Sequence, residues 1–152
     1  MTQRAGQAGV ALIEAIVAIV IVSIAAVTIL SQISQANVQS GRSITQSESA
    51  AIAAAYLTEI VARPFDDPDG ADGETQRRLF DDVDDYNGLN DNGARDANGN
   101  LIPGANRFAV RVAVSASAAL PGVPAADTRL VTVTVTDPVA AVTTATGLRL
   151  RP

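Results

Sequence analysis

Residues 10–30 read VALIEAIVAIVIVSIAAVTIL, and the reading of this stretch decides the fold. Its 21 residues include one charged group, Glu14. At about 1.5 Å of rise per residue such a helix spans roughly 31 Å, against a hydrocarbon thickness of about 30 Å. The run can therefore cross a bilayer once. A secretory signal would have a shorter apolar region followed by an A-x-A-like cleavage site, and none follows Leu30. The plain alternative is a single-span anchor. Against it stands Glu14, because a carboxylate in an apolar span costs about 3 kcal/mol unless paired or near the interface. Intramembrane ionisable groups are retained for a function.

Working outward, Met1–Gly9 is short and polar, with one charge at Arg4. From Ser31 to Ala62 the chain turns polar but stays helix-compatible. Ile33, Ile44, Ile52, Tyr56, Leu57 and Ile60 mark an interrupted apolar stripe. Tyr56 with Ile60 and Leu57 with Val61 share a face at a spacing of four. Gly41 is a candidate bend, and Pro64 stops the helix. The stripe predicts packing on the chain's own sheet; a partner-binding helix is the alternative.

Composition narrows the chemistry. The 152 residues are 47% hydrophobic but only 3% aromatic, so Ala, Val, Ile and Leu carry the burial. Without Cys or His the chain has no disulfide, no thiol nucleophile, no zinc site of the usual kind and no His-based triad. A net charge of −5 argues against nucleic acid as a partner.

Residues 64–106 are predicted to be an acidic, turn-rich loop. Between Asp66 and Asp96 lie eleven acidic residues against Arg77, Arg78 and Arg95, a local net charge of −8. Asn87-Gly88, Asn92-Gly93 and Asn98-Gly99 are tight-turn dipeptides. The sequence supports three readings of this segment. It is a solvated loop whose Asp residues cap turns, or a calcium site built on Asp81, Asp82, Asp84, Asp85 and Asp96, or a paired-carboxylate enzyme drawing its acid and base from Asp81, Asp82, Asp84 and Asp85. An EF-hand does not fit. Asp96, Asn98 and Asn100 have the spacing, but Leu101 stands at the glycine position and Arg107 at the twelfth.

From residue 107 to 152 the pattern is that of strands. FAVRVAVS over 108–115 and LVTVTVTD over 130–137 alternate apolar and polar residues, and a short last strand is predicted over Gly147–Arg151. The fold class is therefore α+β: a long N-terminal helix over 10–30 that continues through 31–63, an acidic loop, and a small antiparallel sheet.

Gly9 followed by an apolar run with Glu14 at its fifth residue resembles the processing signal of type IV prepilins and pseudopilins. The resemblance implies cleavage between Gly9 and Val10 by a prepilin peptidase, methylation of Val10, and a mature chain of 143 residues once the nine-residue leader is removed. It implies a single pass of the inner membrane, N-terminus cytoplasmic and C-terminal domain periplasmic, followed by a place in a pilus at the cell surface. Its partners would be other pilin subunits, met through the N-terminal helix, where Glu14 would pair with a neighbour's N-terminal ammonium. Ala11, Ala15 and Ala18 would let the helices approach closely. The family usually has Phe where this chain has Val10, and its major subunits carry helix-breaking Gly and Pro where this chain has Ser23 and Ser31. That points to a minor subunit.

Further along, AAYLTEIVARPFDD, LFDDVDDYNGL, DANGNLIPG and FAVRVAV resemble the MshD-type minor pilins of the mannose-sensitive haemagglutinin (MSHA) pilus. The implied role is structural, not enzymatic, with no cofactor beyond a possible calcium ion. A minor pseudopilin of type II secretion, a calcium-dependent adhesive subunit and a membrane-anchored hydrolase are the competing readings.

Overall fold

The computed structural model describes residues 5–70 and 74–152, with side chains described from Leu12 onward. Residues 1–4 of the expected leader, the side chain of Val10, and Asp72 of the acidic stretch lie outside them. The chain divides into two units, residues 1–43 and 44–152.

One helix, α1, runs over Ala5–Val61. Its only Gly or Pro residues are Gly6, Gly9 and Gly41, and helical bonding continues through Gly41. In the first unit the apolar side chains from Leu12 to Val38 are exposed. The helix is long and apolar enough to cross a membrane. Its hydroxyls are internally satisfied: Ser23 Oγ donates to the Ile19 carbonyl at 2.7 Å and Thr28 Oγ1 to the Ile24 carbonyl at 2.9 Å. Such back-bonding lets Ser and Thr sit in an apolar run without an unmet polar group.

In the second unit the helix acquires a buried face. Ser49, Ala53, Tyr56 and Ile60 are buried, with Ile52, Leu57 and Val61 half-buried beside them. These fall at spacings of three and four, one stripe of a 3.6-residue helix. The expected stripe was longer; Ile33 and Ile44 are exposed, because the packed face begins only near Ser49. The helix closes with Ala62 N–H on the Thr58 carbonyl and Arg63 N–H on the Ile60 carbonyl, and Pro64 has no N–H to extend it.

The helix face covers a four-stranded antiparallel meander in the order β1 (Asn90–Asn92), β2 (Ala109–Ala116), β3 (Thr128–Thr136) and β4 (Val142–Leu150). The β2–β3 register sets Val110 against Val135, Val112 against Val133 and Val114 against Val131. All six valines are buried, so the period-two alternation has one face toward the helix. The α+β layout is thus present, with two corrections. β4 is nine residues long, not a short strand from Gly147, because Val142–Thr146 pair in full register with Thr132–Thr136. The segment 64–106 is not an irregular loop. It contributes edge strand β1, short 3₁₀ turns at Arg77–Leu79 and Asp84–Tyr86, and five core residues: Phe80, Val83, Tyr86, Ala94 and Ala105. Phe80, Val83 and Tyr86 recur every third residue and are buried, while Asp82 and Asp85 between them accept backbone N–H groups.

Two glycines are fixed by space. Gly93 adopts φ +93°, and a Cβ there would lie 2.6 Å from Leu101 Cδ1. A Cβ on Gly147 would lie 3.1 Å from Leu57 Cδ1, so this glycine lets β4 approach the helix.

Ile60→Ala should lower stability by about 2–5 kcal/mol, the cost of a cavity in a closed core, whereas Ile44→Ala should stay within about 0.5 kcal/mol. Urea unfolding of the full chain in detergent, followed by the sheet signal in circular dichroism, checks the contrast. Equal losses would mean that the packed face starts earlier.

Candidate functional site

The acidic segment meets the helix at a buried polar cluster around Arg77. Tyr56 and Glu59 come from α1, Arg77 and Tyr86 from the two 3₁₀ turns, and Asp91 from β1. Arg77 Nη1 donates to Asp91 Oδ2 at 2.6 Å, and Nη2 lies 3.2 Å from Glu59 Oε2. The guanidinium carbon sits 4.4 Å from the centre of the Tyr56 ring and 5.8 Å from that of Tyr86. Tyr56 Oη donates to Asp91 Oδ2 at 2.8 Å and accepts the Arg95 backbone N–H at 2.7 Å. Tyr86 Oη donates to Glu59 Oε1 at 2.8 Å. Burial, reinforced by the carboxylate that each phenol donates to, pushes both tyrosines up to about 12. Both are therefore protonated donors at physiological pH. Apart from Arg77 Nε, which is buried without an acceptor, the polar groups of the cluster pair with one another, which is the chemistry of a structural joint.

The five aspartates singled out in sequence separate into three places. Asp81, Asp82 and Asp85 converge, with one carboxylate oxygen of each inside a 4.8 Å group. Asp67 and Asp69, not singled out in sequence, form a second such group with Asp81. Asp84 leaves the cluster for Arg129, whose Nε lies 2.8 Å from its Oδ1. Asp96 closes its own turn: Oδ1 accepts from the Asn98 and Asn100 backbone N–H groups, and Oδ2 from the Asn100 amide at 3.1 Å. The expected five-carboxylate set thus does not assemble; Asp84 and Asp96 are engaged elsewhere.

Most of the converging carboxylates have local duties too. Asp85 Oδ2 accepts the Asp81 and Asp82 backbone N–H groups, and Asp82 Oδ1 accepts that of Asp85. Asp67 Oδ1 accepts from Asp69 and Gly70. Desolvation, with the charges of Asp69, Asp67 and Asp85 nearby, raises the Asp81 carboxyl above its ordinary range; desolvation does the same for buried Asp82. Asp96 is lowered by the hydrogen bonds from Asn100 and Asn98. In the folded chain, then, charge on Asp81 and Asp82 is disfavoured, and the group has carboxylate oxygens close enough together to hold a metal ion.

Glu14 lies exposed on α1, and no described residue pairs with it. Sequence reasoning missed the Arg77 cluster. Its faint signal was Glu59 between Tyr56 and Ile60 on a buried stripe, but nothing in sequence joins Glu59 to Arg77 or Tyr56 to Asp91. No family model, curated protein or solved structure matches the chain.

Arg77→Met removes the cation and leaves buried Asp91 and part-buried Glu59 without their partner, a loss of about 3–5 kcal/mol. Alkaline titration gives an independent check. Tyr56 and Tyr86 are the chain's two tyrosines and Trp is absent, so phenolate absorbance near 295 nm reports them alone. It should rise near pH 12 in the folded chain. Because both values are raised, their stabilisation is complete below pH ~10 and is lost as pH climbs through the folded value. A midpoint near 10 with the fold intact would mean that the phenols are not held as described.

Crowding at Asp81 carries a further expectation. Asp81→Asn should leave the melting temperature unchanged or higher, whereas Asp85→Ala should lower it by removing the acceptor for two N–H groups. If the group takes calcium, millimolar calcium should raise the melting temperature of the unsubstituted chain over that in chelator, by the equivalent of about 2.7 kcal/mol at a hundredfold excess over the dissociation constant. Asp81→Asn should reduce that rise. Identical melting curves in calcium and chelator would leave these carboxylates as turn caps alone.

Proposed function

We propose that the protein is a minor type IV pilin-like subunit of the MshD type, processed by a prepilin peptidase and built into, or priming or capping, a filament. The observation that carries this reading is α1. It has an exposed apolar stretch with a single carboxylate, Glu14, which has no described partner in its own chain, and it continues into a helix end that packs on an antiparallel sheet. An apolar surface of this extent must be covered by lipid or by other helices. Before assembly the helix lies in the inner membrane with the sheet domain on the periplasmic side; afterwards it lies among the helices of neighbouring subunits.

Glu14 gives the assembly its register. Cleavage after Gly9 creates an ammonium on Val10, and a neighbour's Glu14 neutralises it inside the bundle. A buried pair of this kind specifies position more than it adds stability. The role is structural. Of the carboxylates that would serve an acid–base pair, Asp82 and Asp85 cap backbone N–H groups and Asp84 pairs with Arg129, which supports a non-enzymatic reading. The acidic balance supports partners other than nucleic acid.

A minor pseudopilin of type II secretion would share the same helix. A calcium-dependent adhesive subunit is favoured by one observation, the convergence of Asp81, Asp82 and Asp85.

Intact-mass analysis of the membrane fraction should find a 143-residue chain beginning at a methylated Val10, and Gly9 replaced by a bulky residue should block its formation. Functional protein that keeps residues upstream of Val10 would end the prepilin reading. Glu14→Ala should still insert, since it makes the span more apolar, but should enter filaments at a small fraction of the normal level. Normal incorporation would remove the pairing argument.

A further inference from the structure

The free edge of the sheet is where the second unit is incomplete. β4 pairs with β3 alone, so its outer row of N–H and C=O groups is unpaired among the described residues. Nine residues make an edge of about 30 Å. Long edges are normally blunted by Pro, bulges or several charges. β4 reads VTTATGLRL, is paired residue for residue with β3, and carries one charge, Arg149. The opposite edge, β1, is only three residues long.

Two features beside this edge ask for a partner. The helix overhangs it: Leu57, Thr58, Val61 and Ala62 form with Gly147 and Leu148 an open depression of about 480 Å³. Leu57 and Val61 stay half-exposed there, because Gly147 offers no side chain to cover them. The second feature is Arg149. By register it stands opposite Arg129 on the helix-facing side of the sheet. Arg129 is neutralised by Asp84, but no described carboxylate lies within ion-pair distance of Arg149, and its Nε is buried without a hydrogen-bond acceptor. Like charges directly across a ladder are unfavourable, so Arg149 lacks the counter-charge that Arg129 has.

We infer that the β4 edge accepts an extended strand from a different protein chain, antiparallel to β4, carrying an acidic residue opposite Arg149 and an apolar one opposite Gly147. Successive residues on one face of a strand are two apart, and antiparallel pairing reverses the order. The recognised sequence is therefore Asp or Glu, any residue, then an apolar residue that fills the depression. Main-chain bonds supply affinity and the two side chains supply selectivity, the division of labour in strand addition. A second copy fits poorly, because β4 contains no carboxylate and the Asp91 of β1 is already committed to Arg77.

The test uses the full chain in nonionic detergent and a fluorescein-labelled twelve-residue peptide of alternating Thr and Val with Glu two residues before a Leu. Fluorescence anisotropy should show saturable binding, and amide exchange should slow across Val142–Leu150. Arg149→Glu should weaken binding at least tenfold, Arg149→Gln should weaken it with the fold unchanged by circular dichroism, and a peptide with Lys in place of Glu should bind Arg149→Glu better than the unsubstituted chain. Replacing the peptide's Leu by Ser should also cost about tenfold. No binding, or binding indifferent to Arg149 or to the Leu, overturns the inference. So does slowing of β4 exchange that grows with protein concentration in the absence of peptide, which would make a second copy the occupant.

Discussion

A buried guanidinium is the constraint from which the folded unit follows. Arg77 is almost wholly enclosed, and an unpaired charge at that depth would cost several kcal/mol. It is tolerated because Asp91 and Glu59 supply counter-charge from two different elements and two tyrosine rings offer their faces. Satisfying it requires that the end of α1, the two 3₁₀ turns and β1 meet at one point. An apolar contact would permit these elements to slide; paired hydrogen bonds of 2.6–2.8 Å do not.

The same economy of charge extends outward. The acidic segment repels itself, and its own three arginines offset only part of that. Two more come from the C-terminal part of the chain: Arg129 reaches Asp84 and Arg151 reaches Asp66 and Asp127, and both guanidiniums lie over the Phe65 ring, at 4.6 and 4.7 Å from its centre. Each partly exposed pair is worth only about 0–1 kcal/mol. Together they fix where the segment lies, and they leave Asp81 drawn together with Asp82 and Asp85, and with Asp67 and Asp69, instead of apart.

The helix carries two different solutions to burial. Its first stretch presents apolar residues on all sides, which suits an environment of lipid or other helices. Its last turns present one apolar stripe, which suits a sheet. The change comes near Ser49, where small residues, Ser49 and Ala53, let the helix approach before Tyr56 and Ile60 fill the space.

The α+β layout was legible because its signals are local. The apolar run 10–30, the stop at Pro64 and the alternation in FAVRVAVS and LVTVTVTD each depend on neighbours a few residues away. β4 was half legible, since VTTAT has no apolar alternation and is a strand because β3 pairs with it. The fate of the carboxylates was not legible. Asp84, Asp91 and Asp96 look alike in sequence, yet one pairs with a residue 45 positions away, one is buried on Arg77, and one closes its own turn. By itself the sequence determined the long helix, strands β2 and β3 and that the helix was apolar enough for a membrane, because backbone preference and side-chain periodicity act over short range. Only the tertiary structure decided which charges are buried, which converge and which edge stays open, because the free energy of a charge depends on partners that the chain brings together from far apart.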